Sequence, residues 1–146
     1  MEKTLKWVAA AAGAAAGLFM RMPTAVRLLV LLMGLDYLSG VGVAFLGKSP
    51  KSDGGALSSK AGFIGLMRKA MILIVILLAA VLDNLTGSAA CTGAAAMFYI
   101  VNESLSILEN AVLLGVPVPQ KLMQALDVAK LVSDKKDDAN SESPNV

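Results

Sequence analysis

The chain has 146 residues, 56% of them hydrophobic, 16% charged and 5% aromatic, with a formal net charge of +2. That balance excludes an ordinary soluble globular domain, and the small charge, with no basic stretch interleaved with aromatics, excludes nucleic acid as a partner. With no histidine and a single cysteine, Cys91, the chain offers no intrachain disulfide, metal-ligand cluster or nucleophile–base spacing, so we expect neither an enzyme nor a cofactor.

Apolar residues come in blocks at 7–20, 28–46, 70–82 and 85–101 rather than in alternation. Only helices and closed barrels satisfy their backbone in lipid, and a spanning helix needs about 20 residues, so the blocks predict an all-α integral membrane protein. Four spans are expected, at about 5–21, 25–46, 68–84 and 88–110; three, with the first block lying on the surface, is the alternative.

The first block follows Glu2, Lys3 and Lys6 and runs WVAAAAGAAAGLFM, a pattern that also describes a cleavable signal peptide, although the later blocks would insert without one. Gly13 and Gly17 form a G-x-x-x-G pair that lets helix backbones approach closely in lipid. Alanine adds little to insertion and Arg21 ends the block early, which makes this the weakest span. A turn is expected at Pro23.

The second block places Asp36 near its centre, beside Tyr37. A central Asp costs about 2.5–3.5 kcal/mol to insert, accepted either for function or for a protonated, hydrogen-bonded role in packing. Residues 47–67 then form a Gly-, Ser- and Pro-bearing cytoplasmic loop, and the basic residues Lys60, Arg68 and Lys69 are expected at anionic lipid headgroups. The third block, AMILIVILLAAVL, ends at Asp83 and Asn84, and turn residues there predict a tight helical hairpin.

The chain re-enters through a small-residue run into FYIVNESLSILENAVLLGVPVPQKL at 98–122. Wound as a helix, Tyr99, Asn102, Glu103, Ser106, Glu109 and Asn110 fall within about a third of the circumference, opposite an apolar wall. Such a stripe needs a polar partner or water if it lies at lipid depth. Three readings stay open: a surface for assembly and hydration, a satisfied seam that never meets water, and a stripe whose far end, Glu109 and Asn110, lies beyond the hydrocarbon. Gly115 fits a helix end, and Pro117 and Pro119 forbid continuation. The transmembrane domain therefore covers 1–114. An amphipathic juxtamembrane helix is expected over 115–132 and a disordered charged tail over 133–146. With four spans, the positive-inside rule puts both ends of the chain in the cytoplasm; three spans keep the same cytoplasmic loop and tail.

Three segments resemble the bacteriophage holin family that includes the toxin-secretion and phage-lysis holins: LDYLSG at 35–40, SSKAGFIGLMRKAMILIVILLAAVLD at 58–83, and the 98–122 segment, whose ESLSILEN and GVPVPQKL stand at the family's spacing. The resemblance covers roughly 28–131 and leaves out the Ala-rich beginning and the acidic tail. It implies a protein of the host's inner membrane that forms homo-oligomers and at a set time opens lesions for endolysin or a large toxin, with an antiholin as a further partner. On that footing the intramembrane groups Asp36, Asp83, Asn102, Glu103, Glu109 and Asn110 would be hidden against neighbouring subunits at rest, and some would face water after opening. An ion channel or a membrane regulator are the rival readings.

Overall fold

The structure, a computed structural model, describes residues 1–51, 53–56 and 58–128. It contains α1 (Glu2–Arg21), α2 (Thr24–Phe45), α3 (Ser59–Thr86) and α4 (Ala90–Leu113), with a short 3-10 turn at Asp53–Gly55 and a further helical run over 120–128. The described residues are helical and contain no strand. The tail at 133–146 and the end of the 115–132 segment lie outside them.

Three helices, α2, α3 and α4, are long and apolar enough to cross a membrane. The fourth expected span, α1, is not among them. Between Lys6 and Arg21 it has an uncharged run of 14 residues, 7–20, and at 1.5 Å per residue this reaches about 21 Å, short of a hydrocarbon core of about 30 Å.

Helix α4 is the centre of the bundle, packed most extensively on α2 and then on α3, while α2 and α3 meet less closely. Buried Val26, Leu29 and Met33 of α2, Ile72 and Ile76 of α3 and Ala96 of α4 form the apolar core. These pairings run α2 and α4 parallel and α3 antiparallel to both. Leu29 and Val43 are the largest fully buried side chains, and bulky residues such as Leu31, Leu38, Ile74 and Leu78 are exposed, as helices facing lipid require.

Helix α3 starts at Ser59, inside the stretch read from sequence as loop, because Ser58 caps it by accepting the Ala61 N–H at 3.4 Å. Gly62 and Gly65 cost roughly 1 kcal/mol each in a helix interior, yet the helix runs through both; a Cβ at Gly62 would stand 3.7 Å from the Tyr37 hydroxyl, and one at Gly65 would meet nothing within 4 Å. The resulting 28 residues are about 42 Å long, enough for the hydrocarbon and one headgroup layer. At its other end Gly87 adopts φ 68°, and the Ser88 N–H donates to the Asp83 carbonyl at 3.0 Å, closing the hairpin. Helix α4 stops where expected: Gly115 takes φ 87°, and the Val116 N–H donates to the Ala111 carbonyl at 2.9 Å ahead of Pro117 and Pro119. Lys48 adds a hydrogen bond to the Leu113 carbonyl at 3.3 Å.

Candidate functional site

The site follows from one periodicity in each of three helices. On α3, Lys69, Ile72, Ile76 and Asp83 recur every three or four residues, or multiples of that, and share one face; the last three are buried, and the Lys69 side chain is 13% exposed. That face carries Lys69 into the bundle level with Asp36 of α2 and Glu103 of α4. Lys69 Nζ donates to Asp36 Oδ2 at 2.8 Å and to Glu103 Oε2, and the two carboxylate side chains are 11% and 10% exposed. Lys69 is thus held between two carboxylates inside the bundle, unlike the exposed Lys60 and Arg68 with which the sequence groups it. Two buried acids draw the neighbouring cation inward, since an unpaired buried charge is far more costly than a paired one.

A neutral extension completes the cluster. Asn110 Nδ2 donates to Asp36 Oδ1 at 3.2 Å and to Ser39 Oγ at 2.9 Å, and the Ser39 hydroxyl donates to the Asp36 carbonyl at 3.0 Å. Asp36 thus ties α2 to both neighbours. With all three groups ionised the cluster carries one positive and two negative charges. A cavity of about 100 Å³ opens beside it, bounded by Tyr37, Gly40, Lys51, Ser58, Gly62 and Lys69.

The polar stripe on α4 is split in two. Glu103 and Asn110 point into the bundle and find partners within the chain. Asn102 and Ser106 are half-buried and Glu109 is exposed, and no side chain of the three makes a hydrogen bond among the described residues. Tyr99 packs on the apolar core, edge-on to Phe98 with ring centroids 5.2 Å apart.

Asp83 and Asn84 stand apart, at the hairpin. Asp83 accepts the Cys91 N–H at 2.9 Å and the Thr92 N–H at 2.8 Å, so its carboxylate caps the start of α4, while Asn84 bonds back to the Ala80 carbonyl of its own helix. Lys60 and Arg68 are exposed. Nothing lies within 4 Å of where a Cβ would stand on Gly13 or Gly17, so the G-x-x-x-G pair packs against none of the described residues. The described residues hold no group of His, Cys, Asp and Glu arranged for a metal ion.

Sequence reasoning missed Ser39 and the inward turn of Lys69. The signal for Lys69 was present, in its spacing from Ile72, Ile76 and Asp83.

Residues 13–130 match the sequence model of the bacteriophage holin family. An uncharacterised protein of Halalkalibacterium halodurans is 36% identical over 137 residues, covering 89% of this chain and 96% of the relative. An uncharacterised protein of Clostridium perfringens is 43% identical over 110 residues, covering 74% of this chain and 76% of its own. A protein of Bacillus phage phi105 named "Probable holin" is 29% identical over 117 residues, with 80% and 82% covered. No solved structure matches the chain.

Proposed function

The chain belongs to the bacteriophage holin family, and from that membership and its buried charge cluster we propose that it assembles in the bacterial cytoplasmic membrane and opens lesions that release endolysin or another large protein. The observation that carries this reading is the pairing of Asp36, Lys69 and Glu103 in the middle of helices otherwise fit for lipid. Such groups are expensive to insert and are tolerated where they have a partner or reach water. Within one subunit they are paired, which describes the resting state. The side chains of Asn102, Ser106 and Glu109 have no hydrogen-bond partner among the described residues, and this edge of α4 suits contact with further copies.

Opening would separate α2 from the other two helices and turn the cluster toward water. Moving one charge through the full membrane potential is worth about 2.3 kcal/mol per 100 mV, so collapse of the potential is able to shift a balanced equilibrium. By the positive-inside rule, the basic loop and the 120–128 helix would face the cytoplasm in a three-span arrangement, with α1 and the α3–α4 hairpin on the other side. The holin reading does not rest on this orientation.

Inducible expression in a bacterium, following membrane potential and release of a folded cytoplasmic reporter together, tests the proposal. Abrupt joint loss is expected. Depolarisation with the reporter retained identifies a small channel, and an intact potential identifies a regulator of the antiholin kind; either result rejects the proposal.

A further inference from the structure

Helix α1 is twenty residues with no buried side chain, and it is absent from the bundle's main contacts. Its faces are nevertheless sorted. At 100° per residue Glu2, Lys3, Lys6, Gly13, Gly17 and Arg21 occupy about 100° of arc, and Leu5, Trp7, Val8, Leu18 and Phe19 occupy the arc opposite. Leu5, Trp7, Val8 and Leu18 are 63–77% exposed. On the polar arc Lys6 pairs with Glu2 at 2.7 Å, leaving Lys3 and Arg21 without an ion pair among the described residues. The helix ends at Arg21, and extended Met22 and Pro23 separate it from α2. Both residues line a recess shared with Asp83, Asn84 and Ser88, so this joint is at the hairpin end of the bundle, where the spans leave the bilayer.

We infer that α1 lies flat in the membrane interface at the hairpin end, its Leu5–Trp7–Leu18 arc in the acyl boundary and its Lys and Arg side chains on anionic phospholipid headgroups. A basic polar face opposite Trp, Phe and Leu, on a helix too short in uncharged length to span, is the pattern of an interfacial helix. The attachment to α2 holds it within reach of that surface at all times. Gly13 and Gly17 lie on the polar side, which takes the G-x-x-x-G pair out of the lipid-facing arc and away from span-to-span packing.

Trp7 is the chain's only tryptophan and reports directly. The full chain is reconstituted in vesicles of phosphatidylethanolamine and phosphatidylglycerol carrying lipids brominated either near the headgroup or near the chain end. A second chain, Trp7→Phe with Ala11→Trp, moves the reporter one turn along the same arc to the middle of the helix. The flat helix gives blue-shifted emission and stronger quenching by the shallow bromines in both chains. Stronger deep quenching of the second chain would show a spanning helix, water-like, unquenched emission a helix off the membrane, and blue-shifted but unquenched emission a helix covered by protein; each overturns the inference. The readout needs no lesion, so its failure is separate from failure of the permeabilising role.

Discussion

Replacing Lys69 by Met removes the cation and leaves Asp36 and Glu103 facing each other among groups only 10–13% exposed. Breaking a buried pair from one side costs about 3–5 kcal/mol, and so little exposure gives solvent small scope to screen it. At about 1.4 kcal/mol per tenfold, the closed arrangement of α2, α3 and α4 should lose at least a hundredfold in its equilibrium against open or unfolded forms. The assay is loss of helicity in denaturing detergent, beside the onset of lysis after induction. K69M is expected to lose helicity at lower detergent and to shift the onset of lysis. Adding Asp36→Asn and Glu103→Gln to K69M removes the stranded charges and should recover most of the stability, because amides keep the hydrogen-bonding shape without the desolvation cost of ions. If K69M matches the unmodified chain in both assays, the cluster does not hold the bundle and the argument fails.

Glu103→Gln alone keeps one hydrogen bond to Lys69 and removes one charge, so lysis timing should change while the protein still folds; unchanged timing together with unchanged oligomer size would remove Glu103 from the mechanism. Asp83→Ala loses the carboxylate that caps α4 at Cys91 and Thr92, at about 1 kcal/mol. Faster amide exchange confined to the first turn of α4 is expected, and exchange that also spreads to the Lys69 level would contradict the local role. Glu109→Gln touches no partner among the described residues, so its effect on subunit stability should stay within about 0.5 kcal/mol, while cross-linked oligomers change in yield or size. Gly115→Ala forces a side chain into φ 87° and should cost about 1 kcal/mol, read as fraying of the end of α4 by the same exchange experiment.

Much of the architecture is legible in the residues. The ends of α2 and α4 are announced by Pro23 and by Gly115, Pro117 and Pro119, and the hairpin by Asn84 through Ser88. The start of α3 is not, because Ser, Gly and basic side chains read as linker, although Ser58 caps a helix there. The first block stands differently: its alanines keep it apolar on average, while Lys6 and Arg21 limit its uncharged run to 7–20, and it is not among the three helices long and apolar enough to cross. At the site, helical geometry correctly brings Glu103 and Asn110 to one arc with Asn102 and Glu109. Which half of that arc is occupied depends on where α2 and α3 dock, and the periodicity of α4 alone does not contain that. Lys69 shows the same limit. Its neighbours Arg68 and Lys60 are exposed, and only its register with Ile72, Ile76 and Asp83 tells it apart.

The most direct measurement is water access to the cluster itself, read at Ser39, which sits between Asp36 and Asn110. In a chain carrying Ser39→Cys and Cys91→Ser, the single thiol is challenged with a membrane-impermeant reagent in intact cells and again after triggered loss of membrane potential. Protection before triggering and rapid modification after it are expected. Equal modification at both times, or protection that survives lysis, would contradict a polar cluster that is closed at rest and meets water on opening.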